Sequence, residues 1–154
     1  NEAAVEKVDK QVQDALAKGA TLHTGGQRLR GEGLDKGHFY APTMISAITP
    51  DMLIYREETF GPVAAVVPFD DEDDVIAMAN DTSYGLAAYV YTQNLSRAVR
   101  SFEALHFGII GINDINPTSA AAPFGGMKES GLGREGAREG IEEYLETKLG
   151  GFSV

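Results

Sequence analysis

Two carboxylates, an aromatic ring and a Gly-Pro turn stand together in the segment Glu57–Pro62. Pro62 fixes its own φ and favours extended geometry at Gly61, so a strand is predicted to begin directly afterwards. The carboxylate of Glu58 can accept hydrogen bonds from both hydroxyls of a vicinal diol, and the ring of Phe60 can pack against a planar heterocycle. The segment therefore fits a nucleotide ribose with its ring. An exposed acidic turn with Phe60 in the core is the commoner arrangement for these residue types, and on these six residues alone it is favoured.

A second segment with chemical potential runs from Asn113 to Phe124, after an apolar strand predicted over Ile109–Asn113. In parallel sheets, ligands bind beyond the carboxyl ends of the strands. Thr118 and Ser119 precede three alanines, and such small polar and apolar side chains can form a tight pocket for a short polar substrate tail. A plain connecting loop explains these residues equally well.

The elements that would position these segments alternate between helices and strands. An amphipathic helix is predicted over Ala4–Leu16, and Pro42 predicts an edge or irregular strand around Phe39–Ile45. A helix capped by Asn94 is predicted to carry its apolar residues on one face. In the central region, strands are predicted over Val63–Phe69, Ala87–Thr92 and Ile109–Asn113. A helix is predicted from Asp70 or Asp71 to Asn80, between the first two of these strands. This order predicts an α/β fold with a parallel sheet and flanking helices.

The pattern G-x-G-x-x-G occurs at Gly131–Gly136, but it lacks the preceding strand and the βαβ unit of a dinucleotide fingerprint. We interpret it as a turn into a helix over Arg134–Tyr144. The predicted buried face of that helix consists of Ala137, Ile141 and Tyr144. The tail, residues 145–154, is predicted to be extended, and an unpaired extended terminus can pair with the sheet edge of another chain.

Composition narrows the possible functions. A chain of 154 residues with 43% hydrophobic residues can bury a compact core. Its 13 basic and 23 acidic residues disfavour nucleic acid as a partner. The sequence shows no membrane-length apolar run and no leader, so a cytoplasmic protein without a membrane partner is expected. There is no cysteine, the three histidines lack ligand spacing, and no metal site is predicted. A first residue other than methionine is expected of a fragment or a trimmed product.

Three segments, in this order and at this spacing, resemble the aldehyde dehydrogenase family. They are Glu57–Pro62, Asn80–Leu86 and Pro123–Glu135. The resemblance covers essentially the whole chain and corresponds to the last third of such an enzyme. It implies part of a catalytic domain over residues 1–144 and an oligomerisation segment over residues 145–154. The run Gly131–Gly136 followed by Ile141–Glu146 is most similar to the succinate-semialdehyde dehydrogenases.

The resemblance also implies roles for individual residues. Glu58 would bind the nicotinamide ribose of NAD or NADP, and Phe60 would lie beside the nicotinamide. Thr118, Ser119 and Phe124 would line the aldehyde pocket, with Ser119 nearest the substrate carboxylate. The C-terminal segment would pair with a neighbouring subunit in a homo-oligomer.

The chemistry of this family uses a cysteine thiolate that attacks the aldehyde, a hydride transfer to NAD(P)+, and hydrolysis of the resulting thioester by a glutamate-activated water. In the family the cysteine and the glutamate precede the part that this chain resembles. No catalytic residue is therefore assigned here, and the isolated chain is expected to be inactive. The alternative is a stand-alone domain that binds or oligomerises without catalysis.

Overall fold

The computed structural model of the protein describes residues 1–31 and 33–153. Two compact units follow each other along the chain, Asn1–Asp70 and the part from Asp71 onward. The first unit contains α1 (Glu2–Ala17), β1 (Thr21–Thr24), β2 (Thr43–Ser46), α2 (Leu53–Arg56) and β3 (Val63–Val66). The second contains α3 (Glu72–Asn80), β4 (Ala87–Val90), α4 (Leu95–Ala104), β5 (Ile109–Ile112) and α5 (Ala137–Glu142). Short 3₁₀ turns occur at Leu34–Lys36 and Lys128–Ser130.

The sheet of the first unit has the order β1-β2-β3. β1 and β2 are antiparallel, whereas β2 and β3 are parallel with Thr43 opposite Val63. The segment around Phe39–Ile45, which was predicted to be an edge or irregular strand, therefore supplies the central strand of this sheet. Pro42 allows this because β2 begins one residue after it, so the missing N–H of the proline lies outside the ladder.

Helix α1 covers the core of the first unit. Asn1 caps it, since its side-chain oxygen accepts a hydrogen bond from the N–H of Ala4 at 2.9 Å. The predicted apolar face is confirmed, because Val5, Val8 and Val12 are buried. The other buried apolar residues of this unit are Ala15, Tyr40, Ala41, Ile45, Ile48 and Met52.

In the second unit, β4 and β5 form a parallel two-stranded sheet in which Ala87 lies opposite Ile109. Both long helices begin where the sequence predicts. Asp71 accepts hydrogen bonds from the N–H groups of Asp73 and Asp74 at the start of α3, and Asn94 accepts one from Arg97 at the start of α4. These side chains satisfy N–H groups that the first helical turn leaves without a partner.

The prediction of one parallel sheet through β3, β4 and β5 is wrong, because the structure divides these strands between two sheets. A βαβ crossover requires its helix to bury an apolar face against the shared sheet. No residue of α3 is buried, and β3 pairs with β2 instead.

Two predicted helix faces have the expected period without the expected burial. On α4 the apolar residues Leu95, Val99 and Phe102 are exposed. Helix α5 is shorter than predicted and buries no residue, with Ile141 and Tyr144 also exposed. Periodicity shows which residues share a face, but it does not show whether another element covers that face.

Residues 145–153 of the predicted tail have no regular secondary structure and are exposed, while Val154 lies outside the described residues. Within the described part of the chain, no helix has the length and apolarity that a membrane span requires.

Candidate cofactor and substrate site

The acidic loop, defined as Glu57–Pro62, connects α2 to β3. A carboxylate of α1 fixes the start of α2, the short helix that leads into the loop, because Asp14 Oδ2 accepts a hydrogen bond from the N–H of Leu53 at 2.8 Å. Met52, the residue before α2, makes no side-chain cap, so Asp14 performs that role from a distant part of the sequence. Lys18 Nζ also donates to Asp14, at 3.2 Å. The hydrogen bond from Leu53, followed by that from Lys18, lowers the pKa of Asp14 below its usual value.

The middle of the acidic loop faces solvent. Glu58 is exposed, and Phe60 is 86% exposed with a φ of 44°. The arrangement that places Phe60 in the core therefore does not apply. A bulky residue with positive φ is uncommon, and so is a fully exposed ring of this size. Together they present a carboxylate and a flat ring, two residues apart, to a ligand.

The exit of the acidic loop is held by close packing. A Cβ on Gly61 would stand 2.5 Å from Val8 Cγ2, so only glycine lets the loop approach α1 this closely. The carbonyl oxygen of Pro62 accepts a hydrogen bond from the N–H of Thr43 at 2.8 Å. As predicted, β3 begins at Val63. The loop is thus fastened at both ends and free in the middle.

In the second unit, Asn113 joins the ends of β4 and β5. Its Oδ1 accepts from the N–H of Thr92 at 2.9 Å, and its Nδ2 donates to the carbonyl oxygen of Thr92 at 2.8 Å. The side-chain amide of Asn113 thus pairs with the backbone of Thr92 as a strand residue would, and it extends the hydrogen bonding between β4 and β5. Asn113 has a φ of 54°, a conformation that asparagine tolerates better than most residues. It sets the direction in which the chain leaves β5.

The substrate loop, defined as residues 114–124, is exposed over most of its length and contains Thr118, Ser119 and Phe124. The hydroxyl of Thr118 donates to Asn116 Oδ1 at 2.9 Å. At the far end, Phe124 exchanges two backbone hydrogen bonds of 2.7 Å with Glu135. Phe124 also lines an open cleft of about 690 Å³ beside the Gly-rich segment that follows it.

Close backbone contacts at glycines bring the segments Asn80–Leu86 and Pro123–Glu135 together. The carbonyl oxygen of Gly85 accepts from the N–H groups of Gly108 and Met127, and its own N–H donates to Ser130 Oγ. A Cβ on Gly108 would stand 1.9 Å from the carbonyl oxygen of Gly125. Backbone therefore packs directly on backbone. The available signal was the high glycine content of Pro123–Glu135, which is typical of such close approach.

The predicted site residues thus form two sets. Thr118, Ser119 and Phe124 share the substrate loop of the second unit, and Glu58 and Phe60 share the acidic loop of the first. Across residues 1–31 and 33–153, no group of three or more histidine, aspartate or glutamate side chains could hold a metal ion.

Comparison with known proteins identifies the class. Residues 1–149 match the aldehyde dehydrogenase family, so the chain belongs to that family. The chain is 51% identical to the mitochondrial succinate-semialdehyde dehydrogenase of Oryza sativa over 148 residues, which cover 96% of the chain and 27% of that protein. It is 47% identical over 148 residues to a probable NADP(+) succinate-semialdehyde dehydrogenase of Sinorhizobium fredii, covering 96% of the chain and 29% of the relative.

Solved structures give the same result. The betaine aldehyde dehydrogenase of Staphylococcus aureus in complex with NAD+ is similar with a TM-score of 0.89 and 41% identity, over 96% of this chain and 29% of that one. The chain therefore spans less than a third of the length of the relatives it matches.

The contact between Gly108 and Gly125 predicts a strong effect of one methyl group. Gly108→Ala places a Cβ inside the carbonyl oxygen of Gly125 and should lower the free energy of unfolding by about 1–3 kcal/mol. Gly151→Ala is the control, because nothing lies within 4 Å of a Cβ at that position. Equal denaturation midpoints for the two variants would contradict the close approach.

The capping role of Asp14 predicts a dependence of stability on pH. Because the folded state lowers the pKa of Asp14, its stabilising contribution is complete above the ordinary value of 3.8 and is lost as the pH falls through the lower folded value. The difference in unfolding free energy between the wild type and Asp14→Ala should therefore be largest near neutral pH and shrink in acid. Asp70→Ala, at an exposed position, should show no such difference in chemical denaturation. A difference for Asp14→Ala that is constant from neutral pH into acid would argue against the cap.

Proposed function

We propose that the chain works as the C-terminal part of an NAD(P)-dependent aldehyde dehydrogenase that oxidises succinate semialdehyde to succinate. The observation that carries the proposal is the exposed pair Glu58 and Phe60, held on a loop that is fastened at both ends. Family membership and the names of the rice and Sinorhizobium relatives support the reaction and the substrate.

The acidic loop suits the cofactor. NAD(P)+ supplies a hydride acceptor when it is bound. In the proposed enzyme, the carboxylate of Glu58 binds the ribose hydroxyls, and the ring of Phe60 packs beside the nicotinamide. The exposure of both side chains is compatible with these contacts.

The substrate loop suits a short aldehyde that carries a carboxylate. The hydroxyl of Ser119 donates to that carboxylate, Thr118 assists it, and Phe124 forms an apolar wall. Asn113 holds the base of this loop against β4 and limits its movement. The overall reaction consumes the aldehyde, water and NAD(P)+ and yields the carboxylate, NAD(P)H and two protons.

Residues 1–144 then serve as part of a catalytic domain, and residues 145–154 as a segment that pairs with a second subunit of a homo-oligomer. The exposed side chains of Leu149 and Phe152 support such pairing. The proposed compartment is the cytoplasm, although the rice relative is named as mitochondrial.

The first test separates the two sets of residues by kinetics in the dehydrogenase that contains this chain. Glu58→Ala should raise the KM for the cofactor by about tenfold to a hundredfold, because hydrogen bonds to a charged group are lost. Ser119→Ala should instead raise the KM for succinate semialdehyde by about tenfold. Glu139→Ala and Ser96→Ala remove the same groups from exposed positions on α5 and α4 and should leave both constants unchanged.

A rise in the KM of the other substrate would contradict the role proposed for the substituted residue. If Glu58→Ala changed only the aldehyde KM, the acidic loop would not bind the cofactor. If Ser119→Ala behaved like Ser96→Ala, the substrate carboxylate would bind elsewhere.

The second test addresses the chain by itself. The purified 154-residue chain should not reduce NAD+ or NADP+ in the presence of succinate semialdehyde, because it has no cysteine to act as nucleophile. Absorbance of the reduced cofactor measures this directly, with a complete aldehyde dehydrogenase as the positive control. Turnover by the chain alone would overturn the requirement for a cysteine.

The absence of cysteine also favours the second candidate, a stand-alone domain that binds or oligomerises without catalysis. An antibody against the chain distinguishes the two by the mass of the native product in its source cells. A band at 16.5 kDa supports the stand-alone domain, and a band several times larger supports the dehydrogenase.

A further inference from the structure

Gln11 is a polar residue in the interior of the first unit. It lies on α1 three residues after Val8, and its side chain has no exposed area. Its Nε2 donates to Glu57 Oε2 at 3.4 Å, a distance at the long end for a hydrogen bond. Its Oε1 is buried and, among the residues that the structure describes, has no hydrogen-bond partner.

Such a residue is costly at this position. A buried amide oxygen without a donor loses its hydration and gains nothing in exchange. A methionine or leucine between Val8 and Val12 would fill similar space without that cost. The contact that distinguishes glutamine from these apolar residues is the hydrogen bond to Glu57, the first residue of the acidic loop.

Glu57 is held from two directions. Its N–H donates to the carbonyl oxygen of Leu53 at 2.8 Å, which fixes its backbone at the end of α2. Gln11 holds its carboxylate from α1. Glu57 has φ −104° and ψ 141°, an extended conformation in which successive side chains point to opposite sides. Holding Glu57 against α1 therefore directs Glu58 away from α1.

Helix α1 contacts both ends of the acidic loop. Gln11 meets Glu57 at the start, and Val8 packs on Gly61 near the end. Val8 and Gln11 are three residues apart and thus lie on one side of the helix. The same helix face therefore determines where the loop begins and where it finishes.

We propose that Gln11 is a positioning residue for the cofactor site. Its hydrogen bond to Glu57 orients the acidic loop so that Glu58 reaches the ribose hydroxyls and Phe60 reaches the nicotinamide. This inference rests on the cofactor role proposed above for Glu58 and adds a residue that touches neither cofactor nor substrate.

Exchanging the amide of Gln11 and the carboxylate of Glu57 tests the hydrogen bond between them. In Gln11→Glu, two carboxylates face each other, and the KM for NAD(P)+ should rise by about tenfold while kcat and the aldehyde KM stay the same. In the double variant Gln11→Glu/Glu57→Gln, the donor lies on the loop and the acceptor on the helix. The cofactor KM should then return to within about threefold of the wild-type value. Gln13→Glu is the matched control, since Gln13 is exposed on the same helix.

Gln11→Met provides a variant without a buried charge, in case Gln11→Glu does not fold. It removes the hydrogen bond, keeps the volume, and should raise the cofactor KM by about threefold. A lower Tm with an unchanged cofactor KM in both Gln11→Met and Gln11→Glu would show that Gln11 only stabilises the fold. Failure of the exchange variant to recover would also overturn the proposal.

A measurement that does not need the cofactor separates this inference from the proposed function. In the 154-residue chain, Gln11→Met should shift the backbone amide NMR signals of Glu58 and Phe60, whereas Gln13→Glu should not. Changes confined to Gln11 and Glu57 would overturn the positioning role even if Glu58→Ala weakens cofactor binding. If the signals shift but Glu58→Ala leaves the cofactor KM unchanged, the failure lies in the proposed function.

Discussion

The approach of Gly108 to the carbonyl oxygen of Gly125 is the constraint on which the second unit depends. Gly108 stands directly before β5, and Gly125 follows the substrate loop, so this contact places the start of β5 against the chain that leaves the loop. Asn113 then sets the angle at which the chain leaves β5, and the paired hydrogen bonds between Phe124 and Glu135 fix its return. A side chain at Gly108 would push these two backbone segments apart.

In the first unit, side chains of α1 hold the acidic loop in place. Asp14 caps α2 from α1, Gln11 contacts Glu57, and Val8 packs on Gly61, so a single helix holds both ends of the acidic loop. In both units, a rigid element holds the ends of the loop and leaves its middle open to solvent. This is how residues on loops acquire a defined geometry for binding.

The features predicted correctly from sequence depend on local chemistry. Asp71 and Asn94 predict the starts of α3 and α4, because an N-cap side chain bonds only to the N–H groups of the next three residues. Sheet neighbours depend on distant segments, and so the pairing of β3 with β2 could not be read from the alternation of strands and helices. The exposure of Phe60 runs against the usual preference of phenylalanine for the core, and only the family resemblance favoured it. The sequence predicts no role for Gln11, because its residue type fits the polar face of the helix and its partner lies 46 residues away.

Glu57 and Glu58 are chemically identical neighbours, and the backbone between them gives them different roles. Extended geometry at Glu57 sends the two carboxylates to opposite sides of the chain. The carboxylate of Glu57 accepts a hydrogen bond from the buried amide of Gln11 on α1, although Glu57 itself is exposed. The other remains in solvent, where it can bind a diol but does nothing to hold the loop. The two adjacent acids therefore differ in their partners: Glu57 contacts α1, and Glu58 is the acid for which we propose the cofactor role.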